Sequence, residues 1–320
     1  MSADIITLGE LLVEIMRKDK DTPHSKIGEE YMGPFPSGAP AIFIDSAARM
    51  SKISNFSTGY IGIVGDDEFG MTIISKLKLD GVNTSQIRID KHLTTGIAFN
   101  QYNSDGSRKF IFAPGAAGSL SSNDVENTYF SGIKVLHIMG STLAISPSSR
   151  DACYKAIRIA KEANPEVLIS FDPNLRPEML NIDEILEICK PVLKNTDILL
   201  PSEKEVKMLA QINRSEKACE QLLNKIPLII LKQGEKGCSI YTREKSKALH
   251  IPGYKVTEID PTGAGDCFGG AFIVAYLAGW DLEDAARFSN AVGALKVKHF
   301  GPMPDTSYET VIAFMKKYEK

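Results

Sequence analysis

The sequence predicts an α/β fold whose mostly parallel sheet is covered on both faces. Three observations carry that expectation. Short apolar runs rich in β-branched residues recur along the 320 residues. Longer amphipathic stretches with helical spacing separate them. The runs are apolar throughout instead of alternating, as strands buried on both faces are.

In chain order, strands are expected at Asp4–Leu8, Phe56–Ile63, Val135–Met139, Val167–Phe171, Ile198–Leu200 and Leu228–Leu231. Helices are expected at Ala39–Met50, Phe69–Leu79, Ser149–Ala163, Ile182–Leu193, Glu203–Ala210 and Ser215–Leu223. Two stretches break the alternation. Val13 to Tyr31 is charged and reads as irregular. Thr94 to Phe112 reads as a hairpin, TTGIAFNQY turning at Asn103-Ser104-Asp105-Gly106 into RKFIF. Extended segments inserted into an α/β body are suited to act as a flap over its binding edge, and the residues alone suit a plain edge sheet equally well. With no repeat, low-complexity tract or Pro/Ser linker, residues 1–320 are expected to form a single domain, with lid segments at about 13–36 and 94–112.

Composition narrows the function. Hydrophobic residues make up 43% of the chain and charged residues 24%, which suits a folded core. With 37 Lys+Arg against 40 Asp+Glu, the chain lacks the basic excess of a protein that grips nucleic acid through phosphates. The N-terminus MSADIITLGELLVEIMRKDK lacks the order of a signal peptide. The longest apolar stretch, Gly269 to Trp280, is twelve residues, where a membrane span needs ~20. Cys153, Cys189, Cys219, Cys238 and Cys267 contain no CxxC pair and suggest neither a disulfide framework nor a zinc cluster. A cytoplasmic protein with reduced thiols, and with neither membrane nor nucleic acid as a partner, is expected.

The most informative stretch is Asp260-Pro261-Thr262-Gly263-Ala264-Gly265-Asp266-Cys267-Phe268. A Gly-rich loop leads directly into GGAFIVAYL, apolar nearly all round and so expected to be a buried helix. Such a helix N-terminus offers unpaired N–H groups and a partial positive charge to an anion. Asp266 falls in the first turn. An acidic residue there also stabilises the helix with no ligand at all, and composition alone would favour that plainer role.

The whole string is similar to the signature D-T-x-G-A-G-D-x-F of the ribokinase-like (PfkB-type) carbohydrate kinases, with Pro261 in place of Thr. Other landmarks follow in family order. They are Gly9-Glu10, Ser37-Gly38-Ala39-Pro40-Ala41, Gly65-Asp66-Asp67-Glu68-Phe69-Gly70, Asp172-Pro173-Asn174-Leu175-Arg176, Ser202-Glu203-Lys204-Glu205 and Lys232-Gln233-Gly234-Glu235-Lys236-Gly237. The motifs sit nearest the fructokinase and 2-keto-3-deoxygluconate kinase branches. The resemblance implies a ribokinase-like three-layer sandwich with a small inserted β-sheet lid. It also implies transfer of the γ-phosphoryl of ATP, with Mg²⁺, to a hydroxyl of a small sugar or sugar acid.

By the same resemblance Asp266 is the base, the Gly263, Ala264 and Gly265 amides hold the transferring phosphate, and Arg176 lies at the substrate end of the cleft, where a guanidinium suits phosphate or carboxylate oxygens. Glu14, Gly38, Ala39, Asp172 and Asn174 are implied at the sugar. Ser202, Lys232, Gly234, Gly237, Thr262 and Asn290 are implied at the nucleotide. Glu205 is implied to position Mg²⁺ through water, although its charged run EKE also suits a solvated helix face. Asp260 and Thr262 match positions around a monovalent cation, often K⁺. Lids of two subunits often pair in the family, so a homodimer is expected. His137, inside an apolar strand, reads as a buried structural residue.

The chain departs from the pattern at two places. Ile42 stands where the family's Asn contacts sugar hydroxyls, and Asp45, one turn on, is the candidate substitute. Phe112 and Ala113 replace the Tyr and Arg of the keto-deoxy-acid kinases. Two other readings share the residues: a nucleoside kinase of the same fold, which needs an aromatic sandwich for a base, and a sugar or nucleotide sensor without turnover. The absence of GxxxxGK[ST] and of GxGxxG after a strand disfavours a Walker-type NTPase and a dinucleotide dehydrogenase.

Overall fold

Strands alternate with helices along most of the computed structural model of the chain, which describes residues 2–245 and 247–318. The strands are β1 Ile5–Glu10, β2 Leu12–Arg17, β3 Tyr31–Ser37, β4 Thr58–Gly65, β5 Val82–Asp90, β6 Gly96–Tyr102, β7 Arg108–Ala113, β8 Val135–Met139, β9 Leu168–Asp172, β10 Ile198–Leu199, β11 Leu228–Lys232, β12 Gly237–Thr242 and β13 Leu249–Pro252. The α-helices are α1 Ala39–Met50, α2 Glu68–Leu79, α3 Gly140–Ile145, α4 Pro147–Ala163, α5 Ile182–Leu193, α6 Glu203–Ala210, α7 Ser215–Leu223, α8 Ala264–Leu277, α9 Leu282–Lys296 and α10 Tyr308–Tyr318.

Nine strands form the main sheet in the order β13-β12-β11-β10-β9-β8-β1-β4-β5. The run from β11 to β5 is parallel, and β12 and β13 extend it antiparallel. One apolar cluster joins the sheet to α1, α8 and α9, and a second joins its other face to α4, α5 and α7. Three layers result, as expected. The α8 helix is buried nearly to its end, in keeping with its all-round apolarity. In a sheet of this kind, ligands lie outside the carboxyl ends of the parallel strands. Glu10, Asp172 and Lys232 stand there, at the ends of β1, β9 and β11.

A second sheet of four strands, in the order β3-β2-β6-β7, is built from the two inserted stretches. The hairpin β6–β7 is antiparallel with Tyr102 opposite Arg108, and β2 joins β6 in parallel. The expectation that residues 13–31 are irregular is corrected at its start, because residues 12–17 form β2. Buried charges hid that strand. Arg17 is buried because its guanidinium donates to the carbonyls of Glu29, Pro23, His24 and Lys26 at 2.7–3.0 Å, and it lies 3.9 Å from the Tyr31 ring centre. Four carbonyl acceptors on its terminal nitrogens make the buried charge tolerable, with only Nε left without a partner among the described residues.

Candidate active site

Gly38 fixes where α1 begins. Its φ is +112°, and a Cβ there would come 2.1 Å from the Glu10 carbonyl oxygen, so the β1 end and the α1 start touch backbone to backbone. The next turn presents Ile42, whose Cγ2 would lie 3.0 Å from a Cβ on Gly263. Ile42 therefore packs on the Gly-rich loop and offers nothing to a hydroxyl. Asp45 does not replace it, and that expectation is corrected. Asp45 is buried between α1 and α2, where it shares a hydrogen bond with Asp80 and sits 3.8 Å from Arg49.

Gly263 closes the loop with φ +77° and caps α8. The Gly263 and Gly265 N–H groups have no backbone acceptor among the described residues, whereas Ala264 donates its N–H to Pro261 O at 3.2 Å. The anion cradle is thus narrower than the three amides expected, because the turn that enters the helix occupies the middle one. Asp266, in the first turn, is buried and accepts from Asn174 Nδ2 at 3.2 Å. Burial raises its carboxyl to about 6, with the Lys232 ammonium and Arg176 guanidinium opposing the rise.

Lys232 and Asp172 form the charged floor. Their Nζ–Oδ2 distance is 2.5 Å, and a methyl on Gly265 would meet Lys232 Nζ at 3.3 Å. The ammonium therefore hangs beside the α8 N-terminus. Burial would lower the Lys232 pKa, but Asp172, Glu205 and Asp266 together raise it. Burial lifts Asp172 to about 7 despite the ammonium, with Glu205 and Asp266 adding to the rise. Arg176 forms no ion pair among the described residues and donates only to Leu175 O at 3.4 Å, leaving its guanidinium for a ligand.

Two expected groups are already engaged with backbone. Glu205 accepts from Ser202 N at 2.7 Å and from Leu175 N at 3.1 Å, completing a capping box with Ser202 on α6. A direct ligand role for Glu205 is unsuited to that geometry. Its charge still acts on Lys232 and Asp172. Asn290 donates its Nδ2 to Ile251 O and Pro252 O, both at 3.2 Å, tying α9 to β13. It nevertheless lines a cavity of about 670 Å³ with Lys232, Gly234, Gly237, Ala264 and Gly265. At Gly237, φ +97° and a carbonyl 2.1 Å from any Cβ leave only glycine room for the turn.

On the small sheet, Glu14 Oε1 accepts from Ser37 Oγ at 2.8 Å while its buried Oε2 has no partner. Burial raises the Glu14 carboxyl. Asn174 Oδ1 is likewise buried without a donor. Both are buried oxygen atoms with no donor among the described residues. Tyr102, missed by sequence reasoning, reaches from β6 to Thr262 Oγ1 at 2.6 Å and joins the small sheet to the Gly-rich loop. Its place at the hairpin end was the only available signal. His137 is structural, as expected: it stacks on Phe43 at 3.6 Å and Nδ1 pairs with Ser170 Oγ at 2.9 Å. All five cysteines are free and buried. Among the described residues no helix is long and apolar enough to cross a membrane.

Residues 2–308 match the family described as pfkB family carbohydrate kinase. A probable fructokinase-5 from Arabidopsis thaliana is 34% identical over 315 residues, covering 94% of this chain and 93% of its own. A 5-dehydro-2-deoxygluconokinase from Clostridium perfringens is 31% identical over 328 residues, covering 98% and 93%. A solved E. coli structure described as a ribokinase II with ATP and Mg²⁺ is 39% identical, covers 99% of this chain and 100% of that one, and superposes with a TM-score of 0.90.

Proposed function

The chain belongs to the pfkB family of carbohydrate kinases, and from that footing we propose that it phosphorylates a small polyhydroxylated sugar from Mg·ATP with Asp266 as base. The observation that carries this is the Asp266 carboxylate, held in the first turn of α8 beside two free amides and the Lys232 ammonium. Phosphoryl transfer goes through a loose transition state, so positioning and charge stabilisation do most of the work. The Gly263 and Gly265 amides and Lys232 meet the negative oxygens of the moving phosphoryl group. Asp266 Oδ1 is steadied by Asn174, and the carboxylate takes the hydroxyl proton as the bond to phosphorus forms.

The nucleotide fits the cavity walled by the Gly234–Gly237 turn and by Asn290. Burial, with smaller contributions from neighbouring carboxyls, raises Asp172 and Asp266, and a divalent ion beside them would favour their ionised forms. Mg²⁺ keeps several waters and phosphate oxygens as ligands, and Glu205 would act on it through its charge and an intervening water. When bound, it neutralises charge on the transferring phosphoryl group.

The partnerless oxygens of Glu14 and Asn174 support an acceptor rich in hydroxyls, of the fructose class. A keto-deoxy sugar acid is the second reading. Arg108, placed opposite Tyr102 on the small sheet, supplies a guanidinium that a carboxylate could use, although Phe112 is apolar where the resemblance expects a clamp. The α1 segment gives no aromatic sandwich for a nucleobase, because Phe43 is stacked in the core on His137. The small sheet serves as lid, and Met32 and Ile111, exposed on it, support pairing of two lids in a homodimer.

ADP release from Mg·ATP across ketohexoses, aldoses, keto-deoxy acids, sugar phosphates and nucleosides tests the reading. Turnover on a ketohexose or keto-deoxy acid supports it. Preference for a nucleoside would replace it with the nucleoside-kinase alternative. ATP binding with no turnover on any acceptor would favour a sensor.

A further inference from the structure

Lys296, the last residue of α9, is 1% exposed, and its ammonium is enclosed by oxygen atoms. Nζ donates to Asp260 O at 2.8 Å and to His299 O at 3.3 Å, and it lies 3.3 Å from Asp260 Oδ2. Two carbonyls and a carboxylate oxygen are what a small monovalent cation seeks. Asp260 is also the residue at which the family resemblance places such a cation. Its remaining valences are filled: Oδ1 accepts from Thr262 N at 2.9 Å and Thr262 Oγ1 at 2.6 Å, and Oδ2 accepts from Gly301 N at 2.8 Å.

We infer that the Lys296 ammonium stands in for the monovalent cation, so that this kinase carries its own cation and needs neither K⁺ nor Na⁺. The inference rests on the kinase reading only for its consequence, because the cage is a property of the fold. A lysine ammonium is a compact point charge with three donors, close in size to K⁺, and burial of such a charge demands this kind of full pairing. The consequence runs through Asp260. Neutralised by Lys296, it holds Thr262 and hence the turn that presents Gly263 and Gly265. On its other side it holds Gly301, against which Phe35 of the small sheet packs, a Cβ there lying 2.8 Å from Phe35 Cδ1. Nucleotide cradle and lid contact are thereby tied to one internal charge. Pro261, which departs from the family's Thr, sits within this loop and gives it no N–H to place.

The test is calorimetric binding of Mg·ATP, with melting temperatures alongside, in KCl, NaCl and tetramethylammonium chloride at equal ionic strength. The wild type is expected to bind with affinities within about twofold in all three salts, and to show no K⁺-specific rise in melting temperature, since an ion that does not bind shifts neither. Lys296→Ala is expected to lose at least about tenfold in affinity in tetramethylammonium and to regain most of it in KCl or ammonium chloride, which fit the vacated cage. Lys296→Met, uncharged but filling the space, should stay weak in every salt. A tenfold or greater preference of the wild type for K⁺ over tetramethylammonium overturns the inference, as does a Lys296→Ala protein indifferent to substitution in all salts. If the variants fail to fold, the wild-type salt series decides alone. If ATP does not bind in any salt, the kinase reading fails, and the wild-type melting series still decides the cage.

Discussion

Lys232 Nζ and Asp172 Oδ2 lie 2.5 Å apart across the ends of two strands, β11 and β9, that are separated in the sheet only by β10. The ammonium faces the α8 N-terminus on one side and this carboxylate on the other. It therefore bridges the anion cradle and the floor of the cleft. Loss of a charge-assisted contact to phosphate is worth about 1.5–3 kcal/mol, so Lys232→Met should lower kcat/KM by roughly 10–100-fold. Steady-state kinetics with saturating sugar and varied Mg·ATP measure it, and an unchanged value would remove Lys232 from the nucleotide site.

The same variant has a signature in stability. Asp172 already titrates at about 7, above its ordinary range, so the fold disfavours its ionised form. A raised carboxyl contributes stability that is lost as pH rises through the folded value. Without Lys232 that penalty grows. Melting curves at pH 6 and pH 8 should therefore show the variant falling further below wild type at pH 8. A gap independent of pH would contradict the pairing.

Asp266 sets the acid limit of activity. Its carboxyl, lifted to about 6 by burial, must be ionised to take a proton, so kcat/KM should fall as pH drops below that value. Because the Asp172 carboxyl titrates in the same range beside the charged Lys232, the midpoint belongs to the two carboxyls together. A pH–rate profile flat down to pH 5 would contradict the assignment.

Asp45 should be dispensable for catalysis. It is buried against Asp80 between α1 and α2, and its carboxyl is held protonated by burial and by that neighbour. An amide mimics the neutral acid, so Asp45→Asn should keep kcat/KM within about threefold and should not lower the melting temperature at pH 8. A large rise in sugar KM would return Asp45 to the substrate site.

Gly38→Ala should do the opposite. A methyl 2.1 Å from Glu10 O, on a residue at φ +112°, forces the α1 start away from β1. A loss of at least about 2 kcal/mol in urea unfolding is expected. A variant as stable as wild type would show that the contact between β1 and α1 is loose.

Much of the body was legible because its strands and helices carry their burial in their apolar spacing. Val135–Met139 and Ile182–Leu193 were read with the bounds the structure has, and α4 begins two residues earlier than expected. Elements outside that rule were missed. The strand β5, VNTSQIRID, is half-exposed at the sheet edge and too polar to announce itself. The strand β2 hid behind Glu14 and Arg17, whose burial depends on how the following loop and β3 fold back over them, through Pro23, His24, Lys26, Glu29 and Ser37. The site followed the same division. The Gly-rich loop and Asp266 were legible as a local string. The engagement of Glu205 with two backbone amides and the diversion of Asp45 to Asp80 depend on tertiary neighbours. So does the burial of Lys296 on Asp260. No spacing in the sequence encodes such contacts.

The most direct measurement is kcat/KM for wild type and Asp266→Asn on the best acceptor of the panel, side by side with Mg·ATP affinity. A loss of about 10²–10⁴ in kcat/KM, with ATP affinity preserved, is what a general base at this position predicts. Turnover unaffected by the substitution would place the base elsewhere and contradict the central claim.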